Sequence, residues 1–453
     1  MDLPETPNPT PPVPDAVERS GRRGLLKSPV RVIVAIWLVW AATMMGFQWF
    51  VTARTDIPGP DYALTWTPSM TNPGALAQFP YLLDPTLAAH VAWDSQYYLS
   101  IAIAGYDDPT AVYYKTADGI SRVSVNYTFM PMYPFAMRVV AAPLSVLGVE
   151  PLPAAIIAGV LISLVATLFV MLGMYGIARP ILGEAAGIRA AFYLLIFPSG
   201  FFLAQVYTEA LFLAFALCAM ALVAMKRPLP AAGLAILATW TRPIGFLLVF
   251  PLFFGLVAAL RSQRDGGATD SALADIRELA QRWRTPRRLG QDLRAVWPWL
   301  VGTAAPGVAY LVWSAIYGER FHLIESYFGR QLLQLDKFWT TWTTEILHLF
   351  DYRLASQAYV MLEFGAAALS IAACIWAFRR WPGVALFGLA AILLPITSGS
   401  PQGVIRFALT VPAIFLLLAR LGKNPTFDRA WIIPSTLLMG FLATLFSFNL
   451  WVG

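Results

Sequence analysis

The chain has 453 residues, of which 58% are hydrophobic and 13% charged, whereas a soluble protein carries about 25% charge to cover its cores. Its 32 Lys and Arg against 26 Asp and Glu give a net charge of +6, and the mean hydropathy is +0.61. These values exclude a soluble multidomain protein, a disordered chain, a coiled coil, a collagen-like chain and a secreted disulfide scaffold, and leave a polytopic helical membrane protein.

Residues 1–29 are polar and Pro-rich and end in the basic cluster Arg19, Arg22, Arg23 and Lys27. They predict a disordered cytoplasmic tail. The apolar run Val30–Val51 is too long for a signal-peptide core and reads as a first transmembrane helix with its N-terminus in the cytoplasm. The stretch 54–133 follows, with three basic and seven acidic residues. Its net negative charge and many aromatics predict a structured loop on the extracytoplasmic side. Residues 134–149 contain Arg138 and Pro143 and predict a short helix, broken at Pro143, lying at the outer interface. Spanning is the alternative.

Further apolar runs lie at 153–178, 187–204, 207–225, 229–241, 243–260, 295–317, 358–378, 382–397, 403–420 and 430–450. Each is near the length of about 20 residues that a helix needs to span, except the short run 229–241. Cations mark the cytoplasmic ends: Arg179 and Arg189, Lys226 and Arg227, Arg261, Arg379 and Arg380, and Arg420, Lys423 and Arg429. The 261–294 segment, with eight Arg and five acidic residues, predicts a cytoplasmic amphipathic loop. The expected division is therefore a membrane module over 30–260 that includes the 54–149 loop, the basic loop 261–294, and a C-terminal membrane module over 295–453. In this topology the 54–149 region, the turns at 204–209, 240–245 and 397–406, and the loop 318–357 all face outward.

Chemistry-bearing residues concentrate in those outward segments. His90-Val-Ala-Trp93-Asp94-Ser-Gln96-Tyr97-Tyr98 sets a carboxylate at the start of a helix among amphipathic rings. Asp94 has two readings, an N-cap or a general base at the membrane surface. Phe129-Met-Pro131-Met-Tyr133-Pro134 predicts a bent entry into the interfacial helix, and Asn126-Tyr127-Thr128 before it matches the glycosylation sequon, a frequent chance match. Tyr207-Thr-Glu209 opens an apolar run with an acid, either a favourable first-turn carboxylate or a functional group. Arg242 and Arg406 sit at outer ends of spans, where they either snorkel or bind a lipid phosphate through their guanidinium forks. There is no P-loop, HExxH, paired CxxC or GxSxG motif. Cys218 and Cys374 lie inside apolar runs, and the three histidines are scattered. No metal site, cofactor, nucleotide or nucleic-acid partner is expected.

Taken in order, HVAWDSQYYLSIAIAGY, FMPMYP, FPSGFFLAQVYTEALF and ATWTRPIGF resemble the motifs of the PIG-V-like family of GT-C mannosyltransferases, over about residues 85–250. SGSPQGVIRF resembles the family's later Arg-aromatic motif. The Ala- and Arg-rich composition and polar tail resemble those of bacterial, actinobacterial proteins. The resemblance implies an all-α GT-C fold of about 11–12 transmembrane helices with a large first extracytoplasmic loop, embedded in the plasma membrane. It implies an inverting transfer of mannose from a polyprenyl-phosphate-mannose donor to a lipid or lipoglycan acceptor, with no cofactor and with membrane lipids as the surroundings. Asp94 matches the catalytic aspartate. Arg242 and Arg406 are the expected donor-phosphate residues, and His90, Trp93, Gln96, Tyr97, Tyr98, Tyr133, Tyr207 and Glu209 the expected substrate contacts. The alternative from another class is a transporter or flippase for a lipid-linked sugar, which predicts internal repeats and helices broken at mid-membrane.

Overall fold

The computed structural model describes residues 28–83, 85–115, 122–261, 286–324, 333–399 and 402–453. Residues 1–27 of the expected tail over 1–29 and residues 262–285 of the expected basic loop lie outside the described residues. The other apolar runs form helices α1 (Pro29–Arg54), α4 (Pro151–Leu182), α5 (Glu184–Leu195), α6 (Glu209–Ala224), α7 (Pro228–Thr241), α8 (Val249–Arg261), α9 (Pro286–Ile324), α11 (Leu354–Phe378), α12 (Pro382–Ile396), α13 (Val404–Ala408), α14 (Pro412–Leu421) and α15 (Pro425–Ser447). Pro in the first turn starts most of these helices, where its missing N–H is unneeded and its fixed φ suits the helix. Among the described residues six helical segments are long and apolar enough to cross a bilayer, and Met132–Val146, α6, α7, α12 and α14 are shorter apolar helices.

The first loop is compactly built. It carries α2 (Ser95–Ile103), a hairpin of β1 (Tyr113–Lys115) and β2 (Arg122–Ser124) in antiparallel register Tyr113 to Ser124, and α3 (Met132–Val146). Asp108 is its hub. This buried carboxylate accepts from Tyr81, from Ser100 Oγ at 2.7 Å and from the Thr110 backbone N–H at 2.9 Å. Asn126 is fully buried and donates to Ser100 Oγ at 2.8 Å, so the sequon residue is a structural pin. Arg138 of α3 donates through Nε and Nη2 to the carbonyls of Ala102 and Ile101 at 2.9 and 2.8 Å. It thereby satisfies the open C-terminal carbonyls of α2. α3 packs antiparallel on the start of α4, with Tyr133 on Gly159 and Ala141 against Ala154 and Ala158.

Four expectations need correction. Pro143 does not break α3, which runs through it to Val146. The run 187–204 is not a continuous helix. α5 stops at Leu195, before Pro198, and a short 3-10 turn covers Gly200–Ala204. Irregular backbone at that depth needs internal partners, and side chains from neighbouring helices supply them: Thr167 donates to Leu203 O, Ser163 to Gln205 O, Ser435 to Ile196 O, and Ser199 of the segment itself to Ile405 O. The run 403–420 is likewise two helices, divided before Pro412. Residues 286–294, assigned to the basic loop, belong to α9, and α9 continues to Ile324 before α10 (Leu335–Leu347). One apolar core holds both expected modules together, with Phe197, Phe201, Phe202, Phe415 and Phe446 fully enclosed.

Candidate active site

Four of the segments singled out in the sequence meet at one site, and each is shaped locally by its own residues. In the first, Trp93 adopts φ +49°, uncommon for a bulky residue, and α2 begins directly after Asp94. Asp94 occupies the N-cap position, yet its side chain makes no cap hydrogen bond. Ser95 Oγ ties down this corner instead, accepting from Ala92 N–H and donating to Val206 O, both at 3.1 Å. The Asp94 backbone N–H donates to the Tyr207 hydroxyl at 3.1 Å. The carboxylate takes no part in capping α2 and turns to Arg406 instead, which removes the N-cap reading.

In the third segment, Pro243 holds Arg242 extended at φ −146°. Gly245 then lies so close to Ala238 and Thr239 that a Cβ would sit 2.4 Å from the Thr239 nitrogen. This doubling back aims Arg242 at the start of α6. In the fourth segment Gly403 takes φ +78° and opens α13, one turn before Arg406. Both oxygens of the fully buried Glu363 on α11 receive the backbone N–H groups of Gly403 and Ile405, at 2.8 and 2.6 Å.

The result is a linear chain of alternating charge. Asp94 Oδ2 accepts from Arg406 at 3.1 Å, the Arg406 Nε lies 2.9 Å from Glu209 Oε1, and Glu209 Oε1 also pairs with Arg242. Side-chain exposure falls from 24% at Asp94 through 13% at Arg406 to none at Glu209, and is 10% at Arg242 at the far end. Two acids and two bases cancel, which is how charges persist where water is excluded. Aromatic faces line the guanidinium groups: Arg406 lies over Tyr207 and Phe202, at 5.4 and 5.6 Å, and Arg242 over Phe407 at 5.5 Å.

The other expected contacts take varied places. Tyr207 touches Asp94 directly. Tyr98 pairs its hydroxyl with Thr208 Oγ1 at 3.3 Å, Tyr97 stacks on Phe129, and Gln96 is buried in α2. Tyr133 donates to Gly159 O inside the core, one layer behind the charges. His90 is buried as well. Its Nδ1 meets Gln205 Oε1 at 3.1 Å, and Gln205 in turn binds Gln48 of α1. Burial pushes the His90 pKa down, which fits a neutral ring pinning the 204–209 turn. Glu209 is the counter-ion of both arginines, and Arg242 and Arg406 are partnered cations rather than isolated ones. Among the described residues no group of three or more His, Cys, Asp or Glu converges as a metal site would require.

Sequence reasoning did not select Glu363, Asp61 or the segment 449–453. Glu363 was signalled, since an acid in the middle of an apolar span marks function by default. Asp61 accepts the Trp451 backbone N–H at 2.8 Å, and Gly453 O lies 3.4 Å from the Arg406 guanidinium. No pattern signals that a segment at 449–453 packs against a loop beginning at 54.

Comparison with known proteins bears on the same residues. The profile of the family Mannosyltransferase (PIG-V) matches residues 62–259. No curated protein matches the chain. Among solved structures the chain is similar to the oligosaccharyltransferase of Archaeoglobus fulgidus tethered with an acceptor peptide, at 13% identity and TM-score 0.46, over 93% of this chain and 56% of that one. The archaeal AglB in complex with an inhibitory peptide and a dolichol-phosphate gives 13% identity and TM-score 0.45 over the same shares. ArnT from Cupriavidus metallidurans bound to undecaprenyl phosphate gives 14% and 0.44, over 80% of this chain and 61% of that one. The chain spans little more than half the length of the archaeal structures. The matched stretch contains Asp94, Glu209 and Arg242, and over it the chain is similar to the PIG-V mannosyltransferases.

Proposed function

We propose that the chain transfers mannose from a polyprenyl-phosphate-mannose donor to a hydroxyl of a lipid or lipoglycan acceptor at the extracytoplasmic face of a bacterial plasma membrane. The observation that carries this reading is Asp94, the outermost and most exposed member of the charge chain, fixed by Arg406 and Tyr207. In this mechanism Asp94 takes the acceptor proton as the acceptor oxygen bonds to the anomeric carbon. The bond from that carbon to the phosphate oxygen breaks, and polyprenyl phosphate leaves as an anion. Attack opposite the phosphate inverts a β-linked donor to an α-mannoside. A positioned base contributes about 10²–10⁴-fold to such a step.

Arg406 and Arg242 meet the leaving phosphate. Each has guanidinium hydrogens beyond those used in its ion pairs, and Glu209, paired with both, holds the two forks in place before the charge develops. An apolar groove of about 750 Å³ lies between α3, α4, α6 and α7, lined by residues from Met132 and Leu211 to Met225. It takes the polyprenyl tail. The helix directions put the cations Arg179, Arg189, Lys226 and Arg379 at the end away from Asp94, and by the positive-inside rule that end is cytoplasmic.

The test is incubation of purified protein with polyprenyl-phosphate mannose and a panel of envelope lipids, read by mass spectrometry. Formation of an α-mannoside supports the reading. Movement of the labelled lipid across vesicles with no glycoside formed refutes it in favour of a transporter.

A further inference from the structure

Trp66, Trp93 and Trp451 come from distant parts of the chain and meet edge-to-face beside Asp94. Their ring centroids are 6.0 Å apart for Trp66 and Trp93, 4.9 Å for Trp66 and Trp451, and 5.0 Å for Trp93 and Trp451. None is fully buried, unlike the phenylalanines of the core. Polar contacts fix the cluster from several sides. Trp93 donates its backbone N–H to Asn449 Oδ1 at 3.3 Å and its indole N–H to Leu450 O at 3.2 Å. Trp451 donates its backbone N–H to Asp61 and its indole N–H to Tyr359 Oη, both at 2.8 Å. With those N–H groups used internally, what Trp93 and Trp451 offer a ligand is rigid ring surface.

From this we infer that the three tryptophans form an acceptor subsite for a pyranose ring, built partly from the segment 449–453. The inference rests on the transferase reading and names the acceptor's class, a molecule with a sugar ring at or next to its reacting hydroxyl. One face of a pyranose presents C–H groups that suit an indole, while its hydroxyls project from the rim toward the neighbouring carboxylate. Prior fixation of the rings lowers the ordering cost of binding. The shelf contains Trp93, next to Asp94, and none of its three tryptophans lines the apolar groove. Acceptor ring and donor tail then occupy separate surfaces.

The experiment is saturation-transfer NMR of methyl α-mannopyranoside on the protein in lipid nanodiscs, with thermal shift by undecaprenyl phosphate as the check on fold and donor site. Trp451→Ala and Trp66→Ala are expected to lose at least five-fold in saturation transfer while keeping the undecaprenyl phosphate shift, and Trp451→Tyr to recover most of the signal. Wild-type transfer in both alanine variants, or none in the wild type, overturns the inference. A competing titration with polyprenyl-phosphate mannose distinguishes the two sources of a sugar ring: a retained mannoside signal supports the acceptor assignment, and displacement assigns the shelf to the donor and overturns it. A protein that binds the mannoside on the shelf but not undecaprenyl phosphate retains the shelf and refutes the donor reading.

Discussion

Arg406→Ala removes a cation that contacts both Asp94 and Glu209. Glu209 is fully buried and keeps Arg242 as its remaining partner, while Asp94, 24% exposed, regains water. Breaking a buried ion pair costs about 3–5 kcal/mol, and with Arg242 still in place the expected loss of stability is at the lower end, about 3 kcal/mol. The kinetic effect follows from the phosphate. A hydrogen bond to a charged group is worth about 1.5–3 kcal/mol, which raises the donor KM about 10- to 100-fold at about 1.4 kcal/mol per decade. Initial rates against donor concentration in nanodiscs, with the melting temperature alongside, measure both. Arg406→Lys restores only part of the loss, because an ammonium lacks the fork that reaches both carboxylates. A donor KM unchanged in Arg406→Ala, with stability alone reduced, refutes the phosphate role and leaves Arg406 as a counter-ion.

Glu363→Gln keeps one acceptor for the Gly403 and Ile405 N–H groups and turns an NH2 toward the other. The α13 turn shifts, and the donor KM is expected to rise several-fold, about the effect of one weakened charged hydrogen bond; an unchanged KM removes Glu363 from the positioning of Arg406. Cys218→Trp fills the apolar groove that Cys218 lines, so long polyprenyl donors lose activity relative to short-chain analogues, and equal loss for both contradicts a tail in that groove. Burial raises the Asp108 carboxyl, but hydrogen bonds from Tyr81, Ser100 and Thr110 outweigh it and hold the group below the usual aspartate range. Its stabilisation is therefore present above the unfolded value of about 3.9 and lost as pH falls through the depressed folded value. Asp108→Asn is expected to destabilise the loop by about 1.5–3 kcal/mol at neutral pH and to flatten that acid transition; stability equal to wild type at pH 7 contradicts the hub role.

Much of the architecture is legible in hydropathy, because a bilayer demands long apolar runs and the runs at 30–51, 153–178, 358–378 and 430–450 each became one helix. The run 187–204 looked equally helical. It is irregular after Leu195 because Ser163, Thr167 and Ser435, far away in sequence, satisfy its carbonyls. Pro143 misled in the other direction, since α3 continues through it. At the site, the motifs separately flagged Asp94, Glu209, Arg242 and Arg406. Their pairing was not legible, because it joins residues as far apart as Asp94 and Arg406, 312 positions along the chain. The same limit hid Trp451, whose partners Asp61 and Tyr359 belong to a loop and a helix with no local relation to it.

The proposal stands or falls on the proton that Asp94 is assigned to accept. The direct measurement compares mannosyl transfer by wild type and Asp94→Asn with polyprenyl-phosphate mannose and a competent acceptor, with donor binding measured on the same samples. The amide keeps the shape and a hydrogen bond to Arg406 but cannot take the proton, so the account predicts a loss of at least about 10²-fold in kcat with donor binding largely intact. Turnover by Asp94→Asn above about a tenth of wild type contradicts the assignment of Asp94 as the general base.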